Sequence, residues 1–308
     1  MIALGLLVGA VLLPALPVRR AGRRLPPRLR ASLCMTGTVG AAIYLVVALL
    51  LLSMPVVLGF KSGSSLAAVC DRMLQVIEPG GPVGTWCAAG LLVVSATVAA
   101  VGEARRRRQR ASLFLPPQVG VHRDRGDYEL VTLPTTVPLA YSLGGRHRQV
   151  VISDGLRQRL DDDELAAVLA HEAAHLAARH DLWLVVTAVA ERLLWFVPWA
   201  RRSAAGLRGA LECWADEVAA SQVGADALQR ALLAAADCRP SPKSVAGLNG
   251  ADVLAERLEM LDAPPQRHPL APAVAAGLVG LILASGGLAA AASGLSELYV
   301  LLTHLCPL

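Results

Sequence analysis

The sequence predicts a multi-span α-helical membrane protein carrying one α+β domain, built from a histidine-bearing helix and a small sheet. Three observations predict it. The 308 residues are 55% hydrophobic and only 17% charged, with a mean hydropathy of +0.51, too apolar for an ordinary soluble domain. Four runs, 2–16, 33–57, 84–102 and 273–295, carry no charge. Between the third and fourth, residues 104–265 change character, and strand-like alternation gives way to helical periods that hold most of the acidic side chains.

In chain order, Ile2 to Leu16 precedes Arg19, Arg20, Arg23, Arg24, Arg28 and Arg30. A cleaved leader carries its positive charge before the apolar run, so this run reads as a short anchor. Leu33 to Val57 is long enough to cross a bilayer of about 30 Å. Gly84 to Gly102 is a third span and ends in Arg105, Arg106, Arg107, Arg108 and Arg110. The positive-inside bias puts both arginine clusters in the cytoplasm together with residues 104–265. Both termini are then outside, the C-terminus brought there by the last span, 273–295.

The net charge of +5 rests on arginine, since Lys61 and Lys243 are the only lysines. Arginines set beside apolar runs point to topology and the lipid bilayer, and no phosphate loop or nucleic-acid module is present. In the outer loop, Ser64 to Ile77 is amphipathic and suits a membrane surface. Cys70 and Cys87 either pair there or remain apolar thiols. Cys213 and Cys238 fall on the reducing side, and no CxxC spacing gives cysteine a metal role.

Tyr128 to Leu133, Pro138 to Leu143 and Gln149 to Ser153 read as three strands, with Gly144 and Gly145 as a turn. An edge near Ala140 to Gly145 can hold an extended peptide by backbone pairing. His122 and His147 read as surface histidines, and His147 has a second reading as a group that polarises a carbonyl.

Asp161 to His180, DDDELAAVLAHEAAHLAARH, reads as one helix. Asp161, Asp162 and Asp163 suit its positive end, and Leu165, Val168, Leu169 and Leu176 give it an apolar face. His171 and His175 are one turn apart and can place two imidazole nitrogens on one zinc ion. Glu172, beside them, can take a proton from a metal-bound water without being a ligand. His180 comes five residues after His175, which on a continuous helix turns it away from the pair.

Leu211 to Ala220, LECWADEVAA, offers a third ligand on a helix whose other reading is an ordinary solvated face, and after HExxH the ligand is the favoured reading. Glu212 completes a His, His, Glu set that leaves a position for water, and Asp216, one turn on, can hold the second nitrogen of a ligating histidine. Between the two helices lies Trp183 to Ala200, apolar and aromatic but interrupted by Glu191, Arg192 and Pro198. A full span there would separate His175 from Glu212 across the bilayer. An interfacial or partly embedded segment is therefore expected, with Trp183, Trp195 and Trp199 near the headgroups. Gly247 to Asp262 reads as a further helix, whose Arg257 either supports the site through a carboxylate or is an exposed helix arginine.

HEAAH followed by ECWAD, and preceded by VVISDGLRQRLDDDELAAVLA, resembles the membrane metallopeptidases of the β-lactam sensor-transducer (BlaR/MecR) type. It is similar, more distantly, to the prenyl-protein and heat-shock membrane proteases. The likeness runs from Pro138 to Leu261. It implies a zincin-like domain with one catalytic zinc on His171, His175 and Glu212, Glu172 as general base and Asp216 in support. It implies as substrate a protein in the cytoplasm or at the membrane, such as a transcriptional repressor or the protease itself. The chain departs from that type after the last span, where only Ser296 to Leu308 remain in place of a penicillin-binding domain. A signal would enter through the outer loop, the spans, a membrane partner or a second copy of the chain. Tyr141, His147 and Arg257 are the candidates for oxyanion support. Two competing readings are a membrane regulator with a structural zinc and a quality-control protease.

Overall fold

The computed structural model describes residues 25–61, 81–111, 113, 119–145, 148–237 and 250–262. The expected spans 2–16 and 273–295, the Ser64 to Ile77 piece, Cys70, Cys238 and His147 lie outside the described residues.

Two long helices come first, α1 (Pro27–Lys61) and α2 (Gly81–Ala111). Both are long and apolar enough to cross a membrane, within Pro27–Ser53 and Val83–Ala111, and they contain the runs expected at 33–57 and 84–102. Small residues on α1, Ala41, Ala42 and Ala48, let α2 approach closely through Ala88, while Tyr44, Leu45 and Leu49 fill the seam. The outer side of α2 keeps Val83, Trp86, Val93 and Val101 exposed, as side chains facing lipid would be.

The sheet follows: β1 (Val121–Asp124), β2 (Glu129–Leu133), β3 (Ala140–Leu143) and β4 (Gln149–Ser153), in the order β1-β2-β4-β3. β2 and β4 are parallel, and the two outer pairs are antiparallel. Three strands were expected; β1 is a fourth. Its sequence, VHRD, is too polar for the alternation to register, but the turn that folds it back is legible. Asp124 Oδ1 accepts from the Gly126 amide at 2.8 Å, and Gly126 adopts a φ of 82°. β3 is an edge strand, as expected.

After a short α3 (Asp154–Arg157) comes α4 (Asp162–Ala177). Asp161 is its N-cap in a capping box with Glu164, which satisfies backbone donors that the helix cannot pair itself. Leu130, Val150 and Ile152 from one face of the sheet bury Leu176 of α4, with Leu165, Val168 and Leu169 packed around them. The one long helix expected from Asp161 to His180 is thus a correction. α4 stops at Ala177, Arg179 takes a left-handed conformation (φ 51°, ψ 43°), and α5 (His180–Leu193) leaves in a new direction. No glycine marks this break. Arg179 is the one non-glycine residue with positive φ among the described residues.

α5 and α6 (Pro198–Val223) form a hairpin, with α7 (Ala225–Asp237) and α8 (Gly250–Asp262) completing the domain. α6 lies along α1: Thr38 donates to Ser203 at 2.9 Å, Cys34 packs with Leu207 and Leu211, and Leu194, Val197 and Ala200 share one buried cluster with Leu45. The tip exposes Trp195, Phe196 and Trp199, with Arg202 over the Trp199 ring at 4.3 Å. Trp183 does not share that level. It packs edge-on against Trp214, twelve residues before Trp195 and thus about 18 Å along the helix axis.

The break at Arg179 gives a prediction. An Arg179→Val protein, with a β-branched side chain forced into the left-handed region, is less stable than wild type by about 1–2 kcal/mol, whereas Arg179→Gly is as stable or more so. Thermal unfolding of the two variants checks this.

Candidate metal centre

α4 and α6 cross so that the Nε2 atoms of His171 and His175 converge, 3.1 Å apart. Glu212 on α6 turns one carboxylate oxygen to each, both at 3.6 Å. The three ligand atoms all lie within 4.8 Å of one another. A tetrahedral zinc with bonds of about 2.0–2.1 Å sets its ligand atoms about 3.3 Å apart, so both the spacing and the donor chemistry fit that ion. Glu212 is 37% exposed at its side chain, which leaves the centre an opening to the outside.

Behind the cluster the other ring nitrogens lie close to polar neighbours. His171 Nδ1 meets Asp216 Oδ1 at 2.9 Å, as the sequence led one to expect for a histidine held by Asp216. Arg257 on α8 grips the same carboxylate through Nε and a terminal nitrogen, at 2.6 and 2.7 Å, and reaches Glu212 at 3.2 Å. Of the two readings of Arg257, the structure supports the one in which it works through a carboxylate. His180, set aside as a ligand, returns as a neighbour: its Nδ1 lies 2.8 Å from Nδ1 of His175. The break at Arg179 turns it back, and no helical spacing could have revealed that.

Glu172, next to His171, faces the sheet, where Ser142 of β3 hydrogen-bonds its carboxyl. Tyr141 is not brought to the cluster. Side chains alternate along β3, so Tyr141 stands on the opposite face from Ser142, and its hydroxyl contact is the carbonyl of Leu113 at 3.5 Å.

Electrostatics divide the work. Burial pulls the His171 imidazole down, but the carboxylates of Asp216 and Glu212 outweigh it and raise it to about 9. Burial and the neighbouring His171 pull His175 down to about 4, and burial pulls His180 to about 3. Glu212 is pushed up by burial, yet His171, His175 and Arg257 hold it at about 2. Burial likewise opposes ionisation of Asp216, and Arg257 and His171 overcome it. Glu172 goes the other way: burial raises its carboxyl, with His171 and Ser142 acting against the rise. A raised carboxylate beside a metal centre suits a group that must both take and return a proton near neutral pH.

Residues 102–237 match the model of Peptidase family M48, under half of the chain. That match supports a zinc metallopeptidase family, and the stretch includes His171, Glu172, His175, Glu212 and Asp216. No curated protein and no solved structure matches the chain.

Among the three candidate ligands, only His171 must lose a proton to bind a metal at pH 7. Zinc uptake at that pH therefore releases about one proton, and apparent affinity rises with pH until about 9, where His171 is already neutral, and then levels off. Titration calorimetry in buffers of different ionisation enthalpy measures both.

Proposed function

We propose that the chain is a membrane-associated, zinc-dependent endopeptidase that hydrolyses peptide bonds of a protein in the cytoplasm or at the membrane. The observation that carries this reading is the convergence of His171, His175 and Glu212 beside a Glu172 held against an edge strand. His171, His175 and Glu212 would hold the ion. Zinc, when bound there, lowers the pKa of the attacking water and polarises the scissile carbonyl.

The chain's own groups do the rest. An extended peptide pairs with the open side of β3, which places its backbone beside α4. Glu172 accepts the proton of the attacking water and passes it to the leaving amine. Ser142 of β3 hydrogen-bonds that carboxyl and holds it beside the cluster. Asp216 keeps the Nδ1 hydrogen of His171 in place, so its Nε2 lone pair faces the centre. Arg257 balances the negative charge that Asp216 and Glu212 bring together.

Two apolar helices support association with a bilayer. The further spans at 2–16 and 273–295, the cytoplasmic placement of 104–265 and the outward termini remain part of this proposal and rest on the arginine distribution. The sensor-transducer likeness implies a transcriptional repressor or the protease itself as substrate. The likeness to heat-shock and prenyl-protein proteases implies unfolded or membrane-bound proteins. Comparing cleavage of an unfolded protein with self-cleavage separates them.

Glu172→Gln is the decisive variant. In detergent it should keep its zinc, while cleavage of an unfolded protein falls by about 10²–10⁴-fold relative to wild type. Equal cleavage by both proteins would refute the assignment of the general base. Equal inactivity with zinc bound would favour a structural site in a regulator.

A further inference from the structure

The two imidazoles of the centre are held unequally. His171 has Asp216 behind it, and a carboxylate can only accept, so His171 must carry its hydrogen on Nδ1 and present Nε2. Among the described residues no carboxylate stands behind His175. Its Nδ1 faces Nδ1 of His180 at 2.8 Å, the rings meeting edge to face at 83°. We infer that His180 is a positioning residue for His175, filling for that ligand the place Asp216 fills for His171. This rests on the zinc-peptidase reading above.

The chemistry fixes the direction of that hydrogen bond. A His175 that gives Nε2 to a metal must carry its hydrogen on Nδ1, so His180 Nδ1 must accept it and its own hydrogen sits on Nε2. Among the described residues His180 Nε2 is buried without a hydrogen-bond partner, and the ring packs on Trp214, centroids 4.8 Å apart. An indole ring tolerates an N–H beside it and offers no acceptor strong enough to reverse the tautomer.

The position of His180 is built by three elements, none of them part of the metal cluster. Arg179 takes the left-handed conformation that swings His180 back, a conformation unfavourable for a residue with a Cβ. Asp181, the next residue, is held by Arg110 of α2 at 2.8 Å, and the same guanidinium donates to the Gly144 carbonyl at the end of β3. A Cβ on Gly144 would stand 2.8 Å from the Asp181 carboxyl, so a larger residue there would require that side chain to shift. Trp214 closes the far side, with Arg28 of α1 over its ring at 5.1 Å. At 1% exposure His180 is more deeply buried than either ligand histidine. Strain and close approach are concentrated on a side chain that holds no metal itself.

The test is zinc dissociation from full-length protein in detergent, followed with a chromogenic chelator. All proteins carry Glu172→Gln to prevent self-cleavage, and His180→Phe, His180→Asn and His175→Ala are added in turn. Asparagine sets an oxygen close to where Nδ1 of histidine lies and can accept the same hydrogen; phenylalanine keeps the bulk and cannot. His180→Phe should bind zinc 10–100-fold more weakly, His180→Asn should recover most of the loss, and the metal-free proteins should unfold at similar temperatures. Zinc binding by His180→Phe equal to that of the parent overturns the inference, as does equal weakening in both variants, which would mark a packing role. If His180→Phe does not fold, His180→Asn decides: near-parent binding supports the inference and a loss of 10-fold or more overturns it. If the parent holds no zinc, or His175→Ala holds it as tightly, the underlying zinc reading fails instead.

Discussion

The structure depends on one buried carboxylate. Asp216 is 2% exposed and lies between the Arg257 guanidinium and the His171 ring. A charge so deeply placed is tolerable only while both partners stay, because removing one member of a buried pair typically costs about 3–5 kcal/mol. The carboxylate therefore fixes three elements at once: α6, which carries it, α8 through Arg257, and α4 through His171. The HExxH helix can meet Glu212 only at this crossing. The same interaction sets the tautomer of the proposed ligand His171 and the place of a helix, so stability and chemistry are not separable here.

The apolar helices are wired into that crossing rather than merely anchoring it. Arg30 of α1 pairs with Glu256, the neighbour of Arg257, and lies 3.5 Å from Cys213 Sγ, beside Glu212. Arg28 covers Trp214, and Arg110 of α2 holds the start of α5. The sequence assigned these arginines to topology and lipid headgroups. Within the protein, Arg28, Arg30 and Arg110 also make contacts, and Arg106 and Arg107 pair with Glu103 on their own helix. Basic residues beside an apolar run look alike whether they meet phosphates or carboxylates. Only the packing of α6 along α1 distinguishes them.

The parts of the site that follow a single period were legible. His171 and His175 share a face because they are four apart, and Glu212 and Asp216 do likewise. The acids before the helix showed where it begins, and the strands nearest the site, β3 and β4, fall within one or two residues of their expected limits. What escaped depends on breaks and pairings that no period encodes. His180 was turned away by assuming a continuous helix, and Arg179, an ordinary helix former, gave no sign of stopping one. Tyr141 drew notice as a phenol near the site, yet β3 pairs so that Ser142 faces Glu172 and Tyr141 faces away. β1 was missed because its side chains are polar, although the Asp124–Gly126 turn could have revealed it.

The proposed centre is one zinc ion held by two imidazoles and one carboxylate, with a position left for water. Zinc-edge X-ray absorption of the purified, zinc-loaded protein reads that donor set directly. A four-coordinate shell of nitrogen and oxygen at about 2.0–2.1 Å, fitted with two imidazoles, is the expected result. A sulfur shell at about 2.3 Å, or a third imidazole in the first shell, would contradict it.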